Sequence, residues 1–208
     1  MAVRGIICDL NGVIRDMARG VARDLEDEYG LERRLLALSL FSHNYEWRRL
    51  RLGQGDHETW LRVAHQKLEE MAGRPLPQLH QRWMQEWGPI RPNLDLIQKL
   101  GGRYRFAVLS NLDRGGVERT LNEFGVRQLF HAIADSATLE VAKPDPRAFR
   151  AAAGLLELEL NECLLIDDSE ENVSAARELG MAAILYDLEK GDDLAAQLEE
   201  LGVKPEAQ

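Results

Sequence analysis

Cysteines in usable pairs, long apolar runs and clustered positive charge are all missing from this chain of 208 residues. Its only cysteines, Cys8 and Cys163, sit inside short apolar runs, where a thiol behaves as a small hydrophobe. Without close spacing they form neither a disulfide framework nor a zinc pattern. No apolar run reaches membrane-spanning length, and the stretch in MAVRGIICDL is too short for a signal peptide. The expectation is a cytoplasmic protein with no membrane partner. A net charge of −9 argues against a polyanionic ligand, so no nucleic-acid partner is expected. The local basic groups, Arg33-Arg34 and Arg48, Arg49 and Arg51, are expected on solvated helix faces, with a role in holding an anionic substrate as the alternative.

Two further absences remove rival chemistries. His43, His57, His65, His80 and His131 are scattered without metal-ligand spacing and are expected at surface or boundary positions. No glycine-rich nucleotide loop is present, since Gly115-Gly116 reads as a turn before a helix. Aromatics make up 6% of the chain, yet Trp47, Trp60, Trp83 and Trp87 all fall in one stretch.

What is present is an alternation. Gly5–Cys8, Phe106–Leu109, Cys163–Ile166 and Ala182–Leu185 are apolar tetrads running into polar residues, with Ala132–Ala134 a weaker fifth. Such runs suit strands buried on both faces, as parallel sheets require. Helical patterns lie between them at Asn93–Leu100, Gly116–Phe124, Asp145–Leu155 and Glu170–Leu179. The fold class expected is α/β, a doubly wound Rossmann-like parallel sheet.

Residues 16–88 interrupt this order with helical patterns at Val21–Tyr29, His43–Leu52, Asp56–Met71 and Pro77–Trp87. Asp56 suits an N-cap, Gly73-Arg74-Pro75 a stop, and Gly53–Gly55 a bend. The expected division is a core of 1–15 and 89–208 with an inserted helical cap domain at 16–88, joined through Gly12–Asp16 and Pro89–Pro92. The tryptophans are expected to build the small cap core, or to roof a pocket beneath it.

Ligands of doubly wound sheets sit beyond the carboxyl ends of the strands. Asp9, Ser110-Asn111 and Asp167-Asp168 all fall at such ends, and Lys143 in VAKPDP adds a fixed cation. Crowded carboxylates repel and protonate unless a cation neutralises them. Mg²⁺, with oxygen ligands and retained waters, fits that need.

This set resembles the haloacid dehalogenase-like (HAD) hydrolase superfamily. Asp9-Leu10-Asn11-Gly12-Val13 matches its first motif, D-x-D-G-[VT], at all but one place. Ser110, Lys143-Pro144 and Asp167-Asp168 correspond in order to the second, third and fourth motifs. The insertion between the first two resembles the helical-cap branch, and LSN…KPDP…DDS-x-x-N resembles the epoxide hydrolase N-terminal phosphatase and sugar-phosphate phosphatase group. The resemblance implies that Asp9 attacks phosphorus and forms an aspartyl-phosphate, which water hydrolyses. It implies Mg²⁺ on Asp9, the Asn11 backbone carbonyl and Asp168, with Asp167 a ligand or behind the ligands. Ser110 and Lys143 would bind phosphate oxygens, Asn111 could add a donor, and Asn172 would orient the fourth motif. The substrate implied is a small phosphorylated metabolite; the oligomeric state is left open.

Asn11 breaks the pattern. Phosphatases of the superfamily carry a general acid there, and an amide cannot exchange a proton at useful pH. Three functions follow: a phosphatase that lacks this acid, a 2-haloacid dehalogenase whose halide leaves unprotonated, or a phosphate-ester binding or regulatory protein. Asn11-Gly12 is also a deamidation-prone pair, which would convert part of the population to Asp unless the folded turn holds it unreactive.

Overall fold

Three of the apolar tetrads form the middle of a five-stranded sheet and the fourth, Ala182–Leu185, one of its edges; their alternation supplies both faces. The computed structural model describes residues 2–205; positions 206–208 of the KPEAQ tail lie outside the described residues. In chain order the elements begin with β1 (Gly5–Cys8), β2 (Arg15–Asp16), α1 (Arg19–Glu28), α2 (Leu35–Ala37) and a π-helical turn at Leu38–Ser42. They continue with α3 (Tyr45–Leu50), α4 (His57–Ala72), α5 (Leu79–Met84), β3 (Gly88–Pro89), α6 (Arg91–Leu100) and β4 (Arg105–Ser110). The remainder comprises α7 (Gly116–Glu123), β5 (Ala132–Asp135), α8 (Ser136–Leu139), α9 (Pro146–Leu155), β6 (Cys163–Asp167), α10 (Glu170–Glu178), β7 (Ala182–Leu185) and α11 (Leu194–Glu200).

The sheet order is β5-β4-β1-β6-β7, all parallel, with β1 between β4 and β6. Successive side chains on a strand point to opposite faces. Ile6, Cys8, Phe106, Val108, Leu164 and Ile166 therefore face α6, α7 and α11, packing on Leu94, Ile97, Leu121 and Leu198. Ile7, Ala107, Leu109 and Leu165 face the other way, onto Phe149, Ala152 and Leu156 of α9 and its end, and Ala176 of α10. Each fully buried Leu, Ile or Phe contributes roughly 1.5–3 kcal/mol. This is a doubly wound α/β sheet with β1 at the strand-order reversal, where ligands of such folds bind.

The helices between β2 and β3 pack around a core of their own, built on Leu25, Leu36, Leu40, Trp60, Leu68, Leu79 and Trp83. They leave and rejoin the sheet through an antiparallel ribbon that pairs Arg15 with Pro89 and Asp16 with Gly88. Asp56 caps α4 by accepting from the Thr59 N–H at 2.8 Å, and Gly73 ends it at φ 67°. The helix expected over His43–Leu52 starts only at Tyr45. Asn44 is buried, accepts from the Glu46 N–H at 3.0 Å and donates to the Trp60 carbonyl at 3.1 Å, so it serves as an N-cap. Further along, α6 begins at Arg91, because Pro92 is tolerated in a first helical turn. No described helix is long and apolar enough to cross a membrane.

Candidate active site

β1, β4 and β6 end side by side, and each delivers polar groups to the same edge. Asp9 follows β1, Ser110 closes β4, and Asp167 closes β6 with Asp168 next in line. Lys143 enters from the loop before α9 and is 3% exposed. Its Nζ donates to Asp167 Oδ2 at 2.5 Å and lies 3.0 Å from Asp9 Oδ1. The second approach is an ion pair, and Asp9 Oδ1 has no other polar partner.

Asp167 is fully buried and accepts three hydrogen bonds. Its other oxygen, Oδ1, accepts from the Ser169 N–H at 3.0 Å and from Asn172 Nδ2 at 2.9 Å. Asn172 thus fixes the fourth-motif loop. Asn111 is engaged in a reciprocal clamp: Nδ2 donates to the Lys143 carbonyl at 2.9 Å, and Oδ1 accepts from the Lys143 N–H at 2.8 Å. Both ends of its amide hold the lysine backbone, which favours positioning Lys143 over the substrate donation expected from sequence.

Burial pushes the Asp9 carboxyl up to about 7; Lys143 opposes the shift, and Asp167 and Asp168 add to it. Burial also works against the Lys143 charge, but Asp167 and Asp9 outweigh it and the ammonium is held above its ordinary range. Asp168 is raised by burial, against the pull of Arg19. Arg19, at the start of α1, reaches across from the insertion and donates to Asp168 Oδ2 at 2.7 Å.

Asn11 sits on the turn after β1 with its side-chain carbonyl turned away from the acids. Arg15 Nε donates to Asn11 Oδ1 at 2.8 Å, and Arg15 also reaches Thr120 Oγ1 at 3.2 Å and stacks 4.9 Å from the Trp87 ring centroid. Burial brings the Arg15 guanidinium down to about 10, and no carboxylate among the described residues lies within 4.0 Å of it. The Gly12 N–H, the nitrogen that would attack Asn11 in deamidation, donates to the Arg15 carbonyl at 2.8 Å. The turn therefore holds this pair in an unreactive arrangement. Neither Arg15 nor Arg19 was singled out by sequence; the one available signal was an arginine directly after the apolar Val13-Ile14.

Asp9, Asp167 and Asp168 each place a carboxylate oxygen within 4.8 Å of the others. Asp167 already accepts three hydrogen bonds, whereas Asp9 and Asp168 keep more of their lone pairs for a cation. Gly12, at φ +80°, passes so close that an added Cβ would lie 2.5 Å from Asp168 Oδ2. This all-oxygen cradle fits a hard divalent ion such as Mg²⁺.

A model of the haloacid dehalogenase-like hydrolases matches residues 3–180. The chain belongs to that family. Among its relatives is the fructose-1-phosphate phosphatase YqaB of Escherichia coli, 25% identical over 187 residues, covering 86% of this hydrolase and 94% of the relative. The phosphatase MT3486 of Mycobacterium tuberculosis is 31% identical over 121 residues, 57% of this chain and 55% of its own. In fold, a HAD-family enzyme of Bacteroides thetaiotaomicron, in complex with magnesium and inorganic phosphate, superposes with a TM-score of 0.65. That enzyme is 21% identical, over 94% of this chain and 99% of its own. The L-2-haloacid dehalogenase of Xanthobacter autotrophicus, with chloropropionic acid covalently bound, gives 0.63 at 18% identity, over 98% of this chain and 85% of its own.

The hydrolase encloses a cavity of about 740 Å³ over this edge, within the size range of small-molecule sites. Its floor includes Asp9, Asn11, Ser110, Lys143 and Asp168, and its walls include Phe41, Trp47 and Trp83 from the helical insertion. Trp47 and Trp83 therefore serve the insertion core and the cavity wall together. Of the arginines expected on solvated faces, Arg33, Arg34, Arg48 and Arg49 are exposed and Arg51 is half-buried; Arg33, Arg34 and Arg51 also line the cavity, the alternative expected for them. His80 departs from its expected surface or boundary position, being 2% exposed. Its Nε2 lies 2.9 Å from Ser39 Oγ and 3.3 Å from the Leu36 carbonyl, while Ser39 spends its own hydrogen on the Leu35 carbonyl at 2.8 Å. The ring is a neutral Nε2–H donor that satisfies a buried turn.

Proposed function

We propose that this hydrolase is a Mg²⁺-dependent phosphatase of small phosphate monoesters, with Asp9 as nucleophile and residues 16–88 as a cap over the site. The observation that carries this reading is the convergence of Asp9, Ser110, Lys143 and Asp168 beneath a cavity, with the Lys143 ammonium 3.0 Å from the Asp9 carboxylate. Asp9, the Asn11 backbone carbonyl and Asp168 would hold the ion, and Asp167 instead fixes Lys143. The ion supplies positive charge that holds the carboxylates ionised and shields one anion from another. A small, phosphorylated metabolite is the partner this chemistry implies, as the phosphatase names among the relatives also suggest.

Ser110 and Lys143 bind non-bridging phosphate oxygens. One Asp9 oxygen attacks phosphorus in line; the P–O bond to the leaving alcohol breaks, and its electron pair leaves with that oxygen. Asn11 cannot protonate it, so the proton comes from water, which is left as hydroxide. A second water then attacks the phosphorus of the aspartyl-phosphate and gives up a proton to that hydroxide; the Oδ–P bond breaks, releasing inorganic phosphate and restoring the Asp9 carboxylate.

The test is a panel of phosphate monoesters with and without Mg²⁺, run on wild type and Asp9→Asn. The expected result is Mg²⁺-dependent phosphate release that Asp9→Asn abolishes; a panel wholly inactive with wild type overturns the reading. The amide at position 11 favours a second reading, a dehalogenase whose halide needs no proton. Metal-independent halide release from a 2-haloacid would establish it. Tight binding of phosphate esters without turnover would instead point to a binding or regulatory protein.

A further inference from the structure

The charges on the cavity wall do not balance where the cap forms it. Five arginines of the insertion line the cavity: Arg19, Arg23, Arg33, Arg34 and Arg51. Three have acidic partners. Arg19 pairs with Asp168 and, at 3.8 Å, with Glu189; Arg23 pairs with Glu189, and Arg33 with Asp27 at 2.8 Å. Among the described residues, Arg34 and Arg51 have no carboxylate within 4.0 Å of their guanidinium groups. Glu26, the lining acid contributed by the insertion, is spent on backbone, accepting from the Arg34 N–H at 3.0 Å and the Leu36 N–H at 3.1 Å.

Arg51 is the more telling of the two. Its Nε is buried with no hydrogen-bond partner, although the side chain lines open space. A buried donor left unmatched costs free energy, and native proteins seldom leave one without a use. The backbone around it is fixed, because buried Ser136 of the core donates its hydroxyl to the Arg51 carbonyl at 2.5 Å. Lys143 is tied to the reactive edge by Asp167 and Asp9, so its charge belongs to the transferred phosphate and not to a second group. The same cavity is lined by apolar surface from Phe41, Trp47 and Trp83.

We propose that Arg51, with Arg34, forms a second anion subsite in the cap, and that the substrate is a phosphate ester carrying a second anionic group, a carboxylate or another phosphate. The apolar body joining the two groups rests on Phe41, Trp47 and Trp83. This subsite rests on the phosphatase reading for its substrate, although not for its capacity to bind an anion. The cavity, at about 740 Å³, holds far more than one phosphate group.

Three aryl esters of matched body test it: phenyl phosphate, para-carboxyphenyl phosphate and hydroquinone bisphosphate. Their leaving groups also reduce the demand on the absent acid. Wild type is expected to favour at least one doubly anionic ester over phenyl phosphate by about tenfold or more in kcat/KM, the scale of a charge-assisted hydrogen bond. Arg51→Met should collapse that ratio, Arg51→Lys should restore part of it, and Arg34→Met should lower it. Which doubly anionic ester gains most assigns the second group as carboxylate or phosphate.

Hydrolysis of phenyl phosphate without a preference for a second anion overturns the subsite and leaves the phosphatase reading standing. If no ester is hydrolysed, calorimetric binding of the same three compounds to wild type and Arg51→Met reads the subsite alone. Equal affinities across the three, or a preference unchanged in a folded Arg51→Met, overturn it there.

Discussion

Arg15 donates from Nε to the side-chain carbonyl of Asn11 at 2.8 Å, and that bond fixes which end of the amide the cavity meets. The oxygen faces a half-buried guanidinium that has no carboxylate within 4.0 Å among the described residues, which leaves the NH₂ end for the cavity. Position 11 is therefore built around an amide. Replacing Asn11 by Asp would put a carboxylate against Arg15, which would keep it ionised and poor as an acid. General acid–base help is worth roughly 10²–10⁴-fold. Asn11→Asp alone is expected to raise kcat on alkyl phosphates by less than the lower bound of that range, about 10². Asn11→Asp combined with Arg15→Gln should exceed the single variant. Steady-state kinetics on both, with thermal melts to verify folding, decide this; full recovery by the single variant would show that Arg15 exerts no hold.

Asp167 holds Lys143 at 2.5 Å inside a site almost closed to water. Removing one partner of a buried ion pair strands the other, at a cost of about 3–5 kcal/mol. Asp167→Ala should lose stability on that scale in urea unfolding. Asn111→Ala removes only the backbone clamp, so it should lower kcat more than it lowers stability. Equal small losses in both variants would mean that the lysine is positioned by other contacts.

Gly12 matters for two separate reasons. Its φ of +80° is unfavourable for any residue with a Cβ, and that Cβ would press on Asp168. Gly12→Ala should cost about 1–2 kcal/mol of stability and weaken Mg²⁺ binding by displacing Asp168. Calorimetric titration of Mg²⁺ into the folded variant reads this directly. Unchanged affinity would remove Asp168 from the ligand set.

His80 makes the cap sensitive to acid. Burial holds its folded-state pKa at about 4, below the ordinary value of 6.5. Between those two values the unfolded chain binds a proton that the folded ring refuses, so stability falls as pH drops from about 6.5 towards 4, at about 1.4 kcal/mol per pH unit. Above 6.5 this group contributes no pH dependence. Urea midpoints at pH 7 and pH 5 should differ more in wild type than in His80→Gln, by about 2 kcal/mol. Equal slopes would contradict a neutral buried ring.

The sheet was legible because its three central strands are buried and written as apolar runs that end in acids or a serine. Asp9, Ser110 and the Asp167-Asp168 pair were legible for the same reason, since the topology brings strand ends to one edge; Lys143, in a loop, was legible from its place before Pro144 in the motif order. Local side-chain competition was not legible. Asn44 caps one expected helix and delays its start, and His80 turns inward because Ser39 and the Leu36 carbonyl await a donor across the helical insertion. The Arg15–Asn11 bond and the Arg19–Asp168 bridge likewise depend on how the ribbon and the insertion fold back over the edge. The first is only four residues apart, but nothing in its spacing separates a site contact from a solvated arginine.

Chemical trapping of Asp9 is the most direct test of the account. Wild type would be mixed with Mg²⁺ and a hydrolysed phosphate ester, quenched during turnover, reduced with borohydride and mapped by peptide mass. Covalent modification confined to Asp9, and absent from Asp9→Asn, is the result expected. Steady Mg²⁺-dependent turnover with Asp9 never modified, or sustained by Asp9→Asn, would contradict it.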